Sequence, residues 1–168
     1  MPLLFILAGA AGSGKSRYRN RLVRQIPGVA EISGDDLIEK WARESGSSYA
    51  DIFMARKDDA ARAVDDKLAE AIANRQDIIW DQTNLTADIR RARLEQIPHD
   101  YETTAIGFEA PLGVLLDRVS ARNQETGKYI PPDVVAKQFE TYERPHFDEG
   151  FDHVFMIKAP GQDFVKVA

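Results

Sequence analysis

Leu3–Ala8 (LLFILA) is apolar without a break and stops at Gly9. A run this short and this uniform reads as a strand buried on both faces. Over residues 15–26, Tyr18, Leu22 and Ile26 recur at helical spacing until Pro27-Gly28 ends the pattern. Val29–Ile32 predicts a second strand. A helix follows from Asp36 to Ser45 and breaks at Gly46-Ser47-Ser48. Residues 50–75 place Ala60, Ala61, Val64, Leu68 and Ile72 on one stripe, as a longer helix does. Asp77–Trp80 predicts a third strand and Thr86–Ile97 a helix stopped by Pro98. A fourth strand covers Glu102–Phe108, and Pro111–Arg122 forms a helix with Leu112, Leu115, Leu116 and Val119 inside. Pro131-Pro132-Asp133 opens a last helix carrying Val134, Val135, Gln138, Phe139 and Tyr142, and His153–Ile157 is a fifth strand. Strands that alternate with helices in this way build βαβ units and a mainly parallel sheet flanked by helices, an α/β fold. No repeat, low-complexity tract or flexible linker divides the chain, so residues 1–168 read as one domain.

Composition narrows the functions. The 168 residues include no cysteine, which excludes a disulfide scaffold, a thiol nucleophile and a cysteine zinc site. His99, His146 and His153 have no metal-type spacing. The net charge is −5 and the pI about 5.2. A passive coat for duplex DNA needs a basic surface; an enzyme that touches nucleic acid through a local patch does not. No apolar stretch is long enough for a bilayer and no basic region precedes Leu3, so a cytoplasmic protein without a membrane partner is expected.

In such sheets ligands sit beyond the carboxyl ends of the strands. After the first strand, Gly9-Ala10-Ala11-Gly12-Ser13-Gly14-Lys15-Ser16 fits G-x-x-x-x-G-K-[ST]. Gly9, Gly12, Ser13 and Gly14 allow a tight loop whose amides face phosphate oxygens, and the next helix adds its positive end. Lys15 would neutralise the β/γ-phosphates and Ser16 would hold Mg²⁺. With Gly at roughly 7% of residues, a start position matches by chance with a probability on the order of 10⁻⁵ to 10⁻⁴.

After the second strand come Asp35 and Asp36. Asp36 reads as a first-turn acid that favours its helix. Asp35, on the phosphate-loop rim, is a candidate base for an acceptor hydroxyl. After the third strand, Asp81, Gln82, Thr83 and Asn84 are candidates for substrate contacts, with Asp81 also placed to hold a Mg²⁺-bound water. Capping of the next helix is the competing role for Thr83, Asn84 and Thr86. Arg90, Arg91 and Arg93 form either a solvated face or a patch for acceptor phosphates. Arg118 and Arg122 share a helix face and lead into polar Asn123–Ile130 (NQETGKYI). That segment reads as a lid over about 118–131 that brings guanidinium groups to a transferring phosphoryl group; the competing reading pairs these arginines with Asp117 or Glu125. Arg17, Arg21 and Arg24 read as solvated, and Trp41 and Trp80 as core.

Taken in order, Gly9–Ser16, I-S-G-D-D (32–36), D-Q-T-N-L (81–85) with Arg90, and Arg118/Arg122 before a Gly-Lys loop and Pro131 resemble the bacteriophage-type polynucleotide 5′-kinase domain. The resemblance spans nearly the whole chain. It implies a P-loop kinase fold with a five-stranded parallel sheet and a small helical lid, and ATP and Mg²⁺ held by Lys15 and Ser16. Asp35 would be the general base, and Thr83 with its neighbours would position the acceptor. Arg118 and Arg122 would be lid arginines, Arg122 engaging donor phosphates. The implied acceptor is a hydroxyl on DNA or RNA, the 5′-OH end or a hydroxymethylated base, in the cytoplasm, a phage's host included. Three positions depart from the family pattern: Ile38 stands where an acceptor-binding Arg is usual, Gln82 where an acid precedes Thr-Asn, and Gly34 where a basic residue is usual. All three lie on the acceptor side. They leave open a small-molecule kinase for a nucleoside, sugar or antibiotic. A switch ATPase is the reading in which Asp35 and the lid have no purpose.

Overall fold

The computed structural model describes residues 1–158 and 165–166. Its sheet has the order β2-β3-β1-β4-β5-β6. β1 (Leu3–Ala8), β2 (Ala30–Ile32), β3 (Ile78–Asp81), β4 (Glu102–Glu109) and β5 (His153–Lys158) are the five expected parallel strands. A sixth, β6 (Val165–Lys166), adds antiparallel to β5. Two residues carry no period, so the pattern could not announce it. β1 shows why the run reads as doubly buried. Leu4 and Ile6 point into a core with Val64, Leu68 and Trp80. Leu7 points into the opposite core with Leu22, Ile79, Ile106 and Phe108. Each such side chain removed from water contributes roughly 1.5–3 kcal/mol.

The helices are α1 (Lys15–Gln25), α2 (Gly34–Ser45), α3 (Tyr49–Ala73), α4 (Ala87–Leu94), α5 (Leu112–Thr126) and α6 (Pro132–Thr141). Ser33 is the N-cap of α2, its hydroxyl accepting from the Asp36 amide at 3.3 Å. α3 has non-helical dihedrals at Arg56, whose guanidinium lies 3.7 Å from the centre of the Trp41 ring. Trp80 is core, as expected, but Trp41 is only half-buried. Thr86 caps α4, accepting from the Ile89 amide; Asn84 does not cap it.

The expected loop 123–130 is shorter in the structure. α5 continues through Thr126 because Asn-Gln-Glu-Thr contains no breaker. Gly127, at φ 71°, ends it and donates its amide to the Asn123 carbonyl at 2.9 Å. Leu115 and Val119 of α5 pack with Val135 of α6 and with Ala10, so α5 and α6 rest on the loop after β1.

Arg90 corrects the sequence reading. It is not on an acceptor surface but is 0% exposed. Its Nε and Nη2 donate to both oxygens of Glu149 at 2.7 Å. Its Nη1 donates to the Asn84 and Glu143 carbonyls at 2.9 and 3.0 Å. The guanidinium's donors are thus spent on the scaffold. Arg90→Ala would leave Glu149 buried and unpaired, and should cost about 3–5 kcal/mol of stability in a denaturant titration. A loss below about 1 kcal/mol would contradict the structural role.

Candidate functional site

The loop between β1 and α1 sits at the carboxyl edge of the sheet, where the strand order reverses around β1. It needs glycine at two places for different reasons. Gly12 is at φ +80°, and a Cβ there would lie 2.8 Å from the Leu115 carbonyl oxygen. Gly14 is at φ +107° and starts α1 with no side-chain cap, which leaves the helix's first amides free. The Gly9 amide donates to the Thr83 carbonyl at 2.8 Å and ties the loop to the end of β3. Ser13 is buried and its Oγ has no partner among the described residues.

Lys15 curls under this loop, its Nζ 2.6 and 2.9 Å from the Gly9 and Ala10 carbonyls. Burial pushes its ammonium down to about 8; Asp81 and Asp35 pull it up, and Arg122 and Lys128 push it further down. A phosphate tail needs the charged form, which predominates at neutral pH, falls to about half near pH 8 and is lost progressively above it. Affinity for a nonhydrolysable ATP analogue should therefore be flat to about pH 7.5 and then fall, approaching tenfold per unit. Calorimetric titration across that range checks this; an affinity constant through about pH 9 would contradict it.

A cavity of about 550 Å³ opens over the loop. Gly12, Gly14, Lys15, Ser16, Asp35, Asp81, Gln82, Thr83, Arg118 and Arg122 line it. The structure thus brings together most of the expected set. Arg118 Nη1 donates to the Gly12 carbonyl at 3.1 Å. Among the described residues, the buried Arg122 Nε and Nη2 have no hydrogen-bonding partner. Neither arginine pairs with Asp117 or Glu125. A guanidinium that no carboxylate neutralises among the described residues, lining the same cavity as the glycine loop and Lys15, suits an anion, and this is the observation that fits a nucleotide's phosphates to the site. Ser16 offers a hydroxyl and Asp81 a carboxylate on the same wall, a hard-oxygen set that suits Mg²⁺ shared with phosphates.

The three carboxylates at the rim have separate environments. Asp81 is 7% exposed, with Oδ2 3.1 Å from Arg19 Nη1. Burial raises its carboxyl, Lys15 and Arg19 oppose this, and Asp36 and Asp35 reinforce it. Asp36 pairs with the same Arg19 at 2.6 Å. Asp35 stands apart on the cavity side, its side chain 59% exposed. Its oxygens accept from Lys128 Nζ and Tyr49 Oη, both at 2.8 Å. Burial alone would raise the Asp35 carboxyl; the Lys128 charge and the hydrogen bonds from Lys128 and Tyr49, with Lys15 behind, outweigh it and hold the carboxyl below its usual range. Asp35 is therefore ionised at neutral pH and can accept a proton.

Lys128 lies in the short connection between α5 and α6. It is 5% exposed, binds Glu39 as well at 2.7 Å, and sits 4.8 Å from the Tyr49 ring centre. Sequence reasoning missed Lys128, Tyr49, Glu39 and Arg19. Only Lys128 carried a signal, the Gly-Lys pair before Pro131. Asn84 is 2% exposed, and its amide nitrogen donates to the Leu7 carbonyl at 2.9 Å. It braces β1 against β3, while its buried Oδ1 has no partner among the described residues.

A second cavity, of about 370 Å³, shares Asp35, Phe53, Asp81, Gln82 and Thr83 with the first and extends between α3 and α4. Its wall includes Ile38, 2% exposed, at the position noted as a departure. Around the first cavity's mouth, Phe53, Met54, Tyr129 and Val134 are 42%, 72%, 53% and 40% exposed. Tyr49 and Phe53 are stacked, with ring centres 6.1 Å apart and planes 19° apart.

A family model described as an AAA domain matches residues 4–145. Solved structures match across nearly the whole chain. A fungal RNA kinase is 17% identical, with 96% of this chain and 76% of that one covered and a TM-score of 0.61. A gluconokinase from Sinorhizobium meliloti 1021 is 21% identical, with 96% and 85% covered and a TM-score of 0.58. An AvrRxo1-ORF1:-ORF2 complex with ATP is 17% identical, with 99% of this chain and 57% of that one covered and a TM-score of 0.73. At these identities the likeness is one of fold. Among the described residues, no helix is long and apolar enough to cross a membrane.

Proposed function

The chain belongs to the AAA domain family, and from that premise we propose that it is a P-loop kinase that binds ATP and transfers its γ-phosphoryl group to a hydroxyl on nucleic acid, the 5′-OH of DNA or RNA. The observation that carries the reading is one cavity lined by two chemically different sets of groups. One set is the glycine loop, Lys15 and Arg122. The other is Asp35, ionised and outside the Arg19 cluster that holds Asp81 and Asp36. Loop amides and Lys15 bind the donor's phosphates, and Arg122 offsets charge on the transferring group. Asp35 accepts the proton of the acceptor hydroxyl and orients its oxygen in line. Ser16 and Asp81 would hold Mg²⁺, which when bound neutralises phosphate charge. Lys128 closes the lid side and keeps the Asp35 carboxylate turned into the cavity.

The acceptor class rests on the mouth. The stacked Tyr49 and Phe53, with Tyr129 lining the same cavity, offer flat apolar surface suited to a base; base–aromatic stacking contributes roughly 1–3 kcal/mol per base. One observation favours a small-molecule acceptor instead: Ile38 presents no charge to the second cavity. Label transfer from γ-labelled ATP to 5′-OH oligonucleotides, beside nucleosides and sugars, separates the two. Oligonucleotide labelling supports the proposal. Label on small acceptors alone would replace it with the second reading, and label released only as phosphate would make the protein an ATPase.

A further inference from the structure

The α4 arginines divide by role. Arg90 is internal and Arg91 pairs with Asp88 at 3.3 Å on the surface. Arg93 lines the second cavity. Its guanidinium lies 4.6 Å from the centre of the Trp80 ring, and its Nη2 donates to Gln82 Oε1 at 2.9 Å. The same Oε1 accepts from Trp80 Nε1 at 3.1 Å, so ring, amide and guanidinium brace one another. Arg93 Nε is buried and has no partner, and among the described residues no carboxylate lies within ion-pair distance of this arginine. Asp65 acts on it only through space. Lys57 faces the same cavity from α3.

A guanidinium held against a ring by one neutral hydrogen bond, lining a cavity and paired with no carboxylate among the described residues, keeps its charge for an anion. The cavity it lines borders the site of Asp35, sharing Asp35, Gln82 and Thr83 with it. We propose that Arg93 binds a phosphate of the acceptor itself, next to the hydroxyl that is phosphorylated, with Lys57 as a second cation at the rim. The inference rests on the kinase reading and deepens it: the acceptor carries its own anion, as a nucleotide strand does and a free nucleoside or sugar does not. It also gives the second cavity a cationic group that Ile38 does not supply.

The test compares two acceptors, a nucleoside 3′-phosphate and the same nucleoside without phosphate, with wild type, Arg93→Gln and Arg93→Lys. Both turnover and equilibrium binding are measured. Wild type should prefer the phosphorylated acceptor by about ten- to a hundredfold, mostly in KM. Arg93→Gln should erase the preference and leave the KM for ATP unchanged, and Arg93→Lys should restore part of it. Equal use of both acceptors by wild type, or an intact preference in Arg93→Gln, would overturn the proposal while leaving the kinase reading in place. Binding of the 3′-phosphate that depends on Arg93, with no transfer to any nucleic acid acceptor, would do the reverse.

Discussion

Asp35→Asn is expected to lower phosphoryl transfer by about 10⁴-fold, the upper end for a lost general base, with ATP affinity within about twofold of wild type. The substitution removes the charge and keeps the shape. An amide oxygen still accepts from Lys128 or Tyr49, which now meet Asp35 at 2.8 Å each, so the lid contact survives. What is lost is a carboxylate able to take a proton from the incoming hydroxyl. Single-turnover transfer with saturating acceptor, paired with calorimetric ATP binding, measures both halves. Turnover within about tenfold of wild type would remove Asp35 from its role.

Arg122→Ala should lower kcat by about 10³–10⁵-fold, the range seen when an arginine that meets transferring phosphate is lost. Stability should barely change, because two of its guanidinium nitrogens hold no protein group in place. Arg118 gives the contrast within one helix face, since it already donates to the Gly12 carbonyl. Thermal unfolding and steady-state kinetics on the same preparation separate the effects. A destabilised protein, or a change in the KM for ATP with kcat intact, would assign Arg122 to structure or to ground-state binding instead.

These residues also show what a sequence discloses. The glycine loop is legible because local rules govern it: a strand ends, small residues turn, a helix begins. Asp35, Asp81, Arg118 and Arg122 are legible because parallel sheets present one edge. Arg90 was misread because an arginine on a short helix is usually solvated, and its partner Glu149 lies 59 positions away. Lys128 reaches Asp35 across 93 positions, and no periodicity reports a contact of that span. The end of α5 was placed early because a polar stretch suggested a loop, whereas Asn-Gln-Glu-Thr can continue a helix until Gly127 stops it. Arg93 was one of three equivalent arginines until the fold set it against Trp80 and turned it toward the cavity.

The central claim is spatial: donor phosphate and acceptor hydroxyl meet between the glycine loop and Asp35. A crystal structure with Mg²⁺, a nonhydrolysable ATP analogue and a 5′-OH oligonucleotide measures this directly. The account places the γ-phosphate within hydrogen-bonding reach of Lys15 and Arg122, and the 5′-oxygen about 2.6–3.2 Å from an Asp35 oxygen. A triphosphate bound away from the loop, or a terminal hydroxyl lying against any group other than Asp35, would contradict it.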